Sequence, residues 1–239
     1  MNLKKYLQLE ILREIKNTYL YLSIILSIIS GSGIIYSIYS LNGPFDETHV
    51  SGLYATISVI AMSLFCVKTI AIDFHYQVSQ LILTSKINRI KFIITKLTTT
   101  IFISLIFSIG CILLLETNSI LNGFDFNFID FVNVIIHHLL FMLFYSIVIL
   151  LLSLFITKIA TLFIINFILV MVLPSILQKL TAIPKIPEFI KILIEKSPFL
   201  TLPIHLPDLT LSVSNIIVIV FSVISLILIT FILIPKKDF

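Results

Sequence analysis

Six long apolar runs decide most of what this chain can become. They cover roughly residues 19–41, 51–72, 92–115, 131–155, 159–177 and 212–234. Each has the roughly 20 residues that an α-helix needs to cross a bilayer core. In hydrocarbon a backbone must satisfy its own polar groups, and a single helix does so within one segment. The expectation is an all-α polytopic membrane protein: one transmembrane domain over 1–239 with six transmembrane helices. Composition agrees. Only 12% of the residues are charged and 59% are hydrophobic, whereas a soluble domain is about one-quarter charged. So few charges cannot cover a water-exposed surface.

The segments between the runs set the organisation. Residues 2–17 carry Leu3, Leu7, Ile11 and Ile15 every fourth position, with Lys4, Lys5, Gln8, Arg13, Glu14 and Lys16 among the rest. That pattern predicts an N-terminal amphipathic helix lying in the membrane interface. A solvated extension of the first span is the alternative. In that span, Gly31 and Gly33 either admit a neighbouring helix closely or mark a weak point in the helix. Residues 178–211 form the longest loop. It has prolines at 184, 187, 198, 203 and 207, and a short helix is expected in 188–196, on the membrane or dipping into it.

Positive charge is unevenly placed. Six spans put both chain ends on one side. That side holds twelve of the sixteen Lys and Arg residues; only Lys179, Lys185, Lys191 and Lys196 lie opposite. Basic residues mark the cytoplasmic side. Both termini, and the stretch 73–97 between the second and third spans, are therefore expected in the cytoplasm.

Several chemistries lack their residues. There is no G-x-x-x-x-G-K-[ST] phosphate loop, no H-E-x-x-H and no cysteine pair at zinc spacing. Adjacent His137 and His138 point about 100° apart on a helix and share no ligand direction. No catalytic residue, metal site or nucleic-acid partner is expected. Cys66 and Cys111 sit in apolar runs and read as small buried hydrophobes. Asn166 is the main strongly polar residue well inside a span. It serves either a helix–helix hydrogen bond or a contact with cargo.

The stretch 73–97 carries the functional signal. Phe74, Val78, Leu81 and Ile82 share one face of a short helix, and Asp73 stands where it can cap that helix. Lys86, Arg89, Lys91 and Lys96 follow as a basic collar. An ordinary positive-inside loop explains the lysines but leaves an apolar-faced helix outside the bilayer uncovered.

This stretch resembles the cytoplasmic loop of ABC-2 type transporter permeases, the membrane subunits of one class of ATP-binding cassette exporters. The family pattern reads E-F-x-x-G-T-x-x-x-L-L-x-S-P-x-S-R with a later Lys. The chain has Asp73-Phe74, Leu81-Ile82-Leu83-Thr84-Ser85, Arg89 and Lys96 in ungapped register. It departs at Gln77-Val78, in place of Gly-Thr, and at Lys86, in place of Pro.

The resemblance implies a coupling helix, within the cytoplasmic coupling loop 73–91, that docks on a separate ATPase subunit. Its residues would be Asp73, Phe74, Val78, Leu81, Ile82 and Leu83, supported by Arg89 and Lys96. ATP and magnesium would be held by the ATPase, with no cofactor on this chain. A second permease copy, identical or a sibling, would complete the unit. The loop between spans five and six would be an outer gate, with Pro187, Phe189, Ile190, Leu193, Ser197 and Pro198. Short permeases of this composition resemble those of low-GC Gram-positive bacteria. Many of those export, or protect against, membrane-active peptides such as lantibiotics, bacteriocins and phenol-soluble modulins. The implied cargo is thus an amphipathic peptide leaving across the bacterial cytoplasmic membrane. Efflux of drugs or other hydrophobic solutes, or a non-transporting immunity or sensor role, are the alternatives.

Overall fold

A computed structural model describes residues 3–75 and 86–234. The described residues form helices and short connections, with no strand among them. The order is α1 (Leu3–Ile15), α2 (Thr18–Leu41), α3 (Glu47–His75), α4 (Lys86–Asn122), α5 (Phe128–Ser153), α6 (Ile159–Phe167), a π-helical turn (Ile168–Val172), α7 (Leu173–Thr181), α8 (Glu188–Glu195), α9 (Pro198–Asp208) and α10 (Val213–Leu233). Six helical stretches are long and apolar enough to span a bilayer: α2, α3, α4, α5, the continuous α6–α7 rod, and α10. This is the build of a multi-pass membrane protein.

The centre is α3, α4 and α5. About two-thirds of the most apolar window of α3 and of α5 is buried, against 17% for α2 and α10. α5 is apolar all round and buries residues from Val134 to Ser153, as an enclosed helix must. Hydroxyl groups do not conflict with this burial. Thr95, Thr99, Thr100, Ser104 and Ser108 on α4 each donate to a carbonyl three or four residues back. That back-bonding satisfies them without water. Tyr54 Oη donates to the Phe107 carbonyl at 2.6 Å, tying α3 to α4. Cys66 and Cys111 are buried free thiols.

Local chemistry sets the helix ends. Asn42 closes α2 in the left-handed conformation, which Asn tolerates better than most residues. Asp46 caps α3: the Thr48 hydroxyl and amide and the His49 ring and amide all converge on its Oδ1. The bonds from Thr48, then His49, hold the Asp46 carboxyl down at about 2. Pro174 explains the π-helical turn. It has no N–H for the carbonyl four residues back, and its ring crowds that carbonyl. The helix relaxes by one wider turn just before it.

Of the two glycines in α2, only Gly31 meets a neighbour. A Cβ there would strike the Leu114 side chain and stand 3.2 Å from the Val50 carbonyl, whereas one at Gly33 would meet nothing within 4 Å. Gly31→Ala should therefore destabilise by about 1–3 kcal/mol through overpacking. Gly33→Ala should stabilise by up to about 1 kcal/mol through helix propensity. Thermal unfolding in detergent checks the pair; equal effects would refute the close approach at Gly31.

The stretch 178–211 holds more structure than one short helix. α7 continues to Thr181, and two helices, α8 and α9, follow it. Four residues of α9, Leu200, Thr201, Leu202 and Leu206, are buried, while α8 buries none.

Candidate functional site: a buried ion cluster and an inserted hairpin

At the end of the bundle that holds α1, three helices meet through charge. Lys96 of α4 is wholly buried. Its Nζ lies 2.9 Å from Glu10 Oε2 of α1 and 2.5 Å from Asp73 Oδ2 of α3. Arg13 Nη2 lies 2.7 Å from the same Glu10 oxygen, Nε lies 3.3 Å from Glu14 Oε1, and Nη1 lies 3.6 Å from Asp73 Oδ1. Lys68 Nζ of α3 stands 3.9 Å from Glu14 Oε2. Asn17 Nδ2 also donates to Glu14 Oε2, at 3.1 Å, and Tyr6 Oη donates to Asp73 Oδ2, at 3.4 Å. Three carboxylates thus face three cations. Buried charge is tolerated only with such pairing.

The cluster fixes protonation at α1. Burial pushes the Tyr6 hydroxyl well above its usual range, and Asp73 and Glu10 push it further. Tyr6 therefore stays a neutral donor. Burial works against the charge on Arg13, but Glu10, Asp73 and Glu14 outweigh it and hold the guanidinium firmly protonated.

The α1 face turned to the bundle is therefore Tyr6, Glu10, Arg13 and Glu14, while Leu9, Leu12 and Ile15 are exposed. Sequence reasoning saw an apolar stripe and grouped Arg13 and Glu14 with the solvated residues. The missed signal was the spacing of Tyr6, Glu10 and Glu14, one helical turn apart. Two acids facing inward at that spacing require cations on the neighbouring helices.

The expected coupling residues divide into four groups. Asp73 and Lys96 come together as an ion pair within the cluster. Phe74 is buried and packs edge-on against Phe92, with ring centroids 5.7 Å apart, and Lys96 Nζ lies 5.4 Å from the Phe92 ring. Arg89 Nη1 donates to the Ile234 carbonyl at 2.8 Å, joining the start of α4 to the end of α10. Val78, Leu81, Ile82 and Leu83 lie outside the described residues.

α8 and α9 form a hairpin that enters the bundle from the opposite end and returns to it. At its tip, Phe199 packs edge-on against Phe144, centroids 5.0 Å apart. Phe144 is sixteen residues into α5, about 24 Å along the helix from Phe128 at about 1.5 Å per residue. Ser197 and Pro198 border a groove of about 550 Å³ with Val148, Leu151 and Ser222. The returning leg ends at Asp208, and the Leu211 N–H donates to His137 Nε2 at 3.0 Å. His137 Nδ1 lies 2.6 Å from the Asn133 carbonyl, so Nδ1 carries the proton and Nε2 accepts.

Of the expected gate residues, Pro187 precedes α8, and Phe189, Ile190 and Leu193 are exposed on it. Ser197 stands at the N-cap position of α9 without a side-chain capping bond, and Pro198 takes its first helical position. That position tolerates proline because its N–H would have no partner.

Asn166 Nδ2 donates to the Ser63 carbonyl at 2.7 Å, linking α6 to α3 two residues before the π-helical turn. It thus makes the helix–helix bond; among the described residues its Oδ1 has no hydrogen-bond partner. His138 turns Nδ1 to the Val134 carbonyl at 2.8 Å. No metal-holding group of three or more His, Cys, Asp or Glu occurs among the described residues. A recess of about 260 Å³ opens at the hairpin end, lined by Glu47, Ser51, Asp130, Asn133, Asp208 and Thr210.

One end carries a charge-locked joint of three helices, the other an inserted helical hairpin, with a tightly packed core between. No family model matches the chain, and no curated protein matches it.

Proposed function

We propose that this chain is the membrane subunit of an ATP-driven exporter of the ABC-2 type. In this reading it works with a separate ATPase and a second permease copy. It lies in the bacterial cytoplasmic membrane with α1 on the cytoplasmic side, where α1 rests its exposed Leu9, Leu12 and Ile15 in the interface. The cargo is an amphipathic, membrane-active peptide moving outward.

The observation that carries the reading is the ion cluster. Asp73 and Lys96 lie on α3 and α4, the two helices that flank residues 76–85, and both are locked to α1. A push delivered to that segment would move α1, α3 and α4 together instead of bending one helix. The chain carries no G-x-x-x-x-G-K-[ST] motif, and in this reading the push comes from another subunit. The inserted hairpin supplies a movable element at the other end. Its second leg packs on the core, while its first buries no residue.

The test is co-purification of the tagged chain from its native membrane, followed by ATPase measurement on the complex. An ATPase subunit should co-purify, and an amphipathic helical peptide should stimulate hydrolysis several-fold. A chain that binds the peptide but retains no nucleotide-hydrolysing partner would overturn the exporter reading in favour of an immunity or sensor role.

A further inference from the structure

A groove of about 460 Å³ runs along the outside of the bundle between α2, α3 and α6. Its walls are apolar: Leu22 and Leu26 of α2, Leu64 of α3 and Phe163 of α6. Ala61 forms part of its floor, and Tyr19 and Lys68 close one end. From Lys68 to Ala61 the groove follows seven residues of helix, about 10 Å. This suits the upper part of one acyl chain.

Lys68 is the group that selects an occupant. Its side chain is 32% exposed, so the ammonium is reachable from the groove mouth. Glu14, the nearest carboxylate, stands 3.9 Å away, beyond hydrogen-bonding distance. Both Glu14 oxygens are already engaged, Oε1 by Arg13 Nε and Oε2 by Asn17 Nδ2. The other described partner of Lys68 is the Phe65 ring, 5.6 Å from Nζ. Among the described residues, then, Lys68 has one long ion pair, to Glu14, and none of its three ammonium donors makes a hydrogen bond.

The depth is also right. Tyr19 is 72% exposed one residue into α2, and an exposed tyrosine at a span end marks the headgroup level. Lys68 shares that level with Tyr19. A cation at the headgroup level above an apolar, lipid-facing slot complements one class of molecule in a bilayer.

We propose that this groove binds an anionic phospholipid, its phosphate on Lys68 and one acyl chain along Leu22, Leu26, Leu64 and Phe163. The site is independent of the transport reading and holds whichever end of the bundle faces the cytoplasm.

Native mass spectrometry of the full chain tests it, after titration with phosphatidylglycerol or phosphatidylcholine of identical acyl chains. The wild type should retain phosphatidylglycerol about fivefold better, the preference a single surface cation gives. Lys68→Gln should erase that preference and Lys68→Arg should keep it, which separates lost charge from damaged fold. Ala61→Phe should fill the groove and reduce retention of both lipids with Lys68 intact. Equal retention of the two lipids by the wild type would overturn the proposal. So would a preference that survives Lys68→Gln, undiminished binding to Ala61→Phe, or a dimer mass without lipid, which would mean that a second copy covers the groove.

Discussion

Lys96→Met should be the most damaging single substitution in the bundle, lowering stability by about 3–5 kcal/mol. Methionine nearly matches the lysine stem in length, so little packing volume is lost. The cost comes from charge. Glu10 and Asp73 would keep their carboxylates in a buried site without the ammonium between them. Lys68→Met makes the control: its side chain is one-third exposed and 3.9 Å from its carboxylate, and such pairs contribute about 1 kcal/mol or less. Chemical unfolding in detergent should rank the two variants clearly apart. A second arm uses Glu10→Gln. Combined with Lys96→Met, it should cost less than the sum of the two single changes, because each removes the other's partner. Equal stability of Lys96→Met and Lys68→Met would show that the cluster does not hold α1 to the bundle.

The second large effect concerns the hairpin. Leu202 on its returning leg is 1% exposed. Leu202→Ala should loosen it by about 2 kcal/mol, the low end for a buried leucine, because surrounding lipid is as apolar as leucine and only packing is lost. That corresponds to about a thirtyfold rise in the open population. A cysteine at Phe199, at the tip, reports the opening. With Leu202 in place it should react slowly with a water-soluble maleimide; with Leu202→Ala it should react many times faster. Glu188→Cys on the exposed leg should react quickly in both backgrounds. In the exporter reading, Leu202→Ala also impairs peptide transport while the ATPase still docks. A tip cysteine labelled equally fast in both backgrounds would remove the hairpin as a packed, movable element.

These two predictions rest on features that differ in how far the chain alone revealed them. A bilayer imposes one long-wavelength rule on sequence, about twenty apolar residues per crossing. The six runs obey it without reference to any neighbour, so the spanning helices were readable residue by residue. Turn and cap chemistry is equally local: Asn42, Asp46 and Pro174 act on atoms within five residues of themselves. The basic stretch near Lys96 is visible as charge, and Asp73 and Lys96 stand out through their match to the family pattern.

Their partners were not visible. Glu10 meets Lys96 across 86 positions in the chain, and no short-range periodicity encodes such a pair. The same limit applies to the hairpin. Residues 178–211 read as a proline-rich loop because prolines mark turns. Whether such a loop lies over the bundle or inserts into it depends on space left by α3 and α5. Phe199 finds Phe144 only once those helices are packed. The sequence by itself determined the solvent the chain is built for and the number of helices that meet it, because burial in lipid is a property of each run alone. Only the tertiary structure decided that α1 is held by its acids, that the hairpin enters the bundle, and that Lys68 faces a groove. Each of these depends on which side chains distant helices bring within a few ångströms.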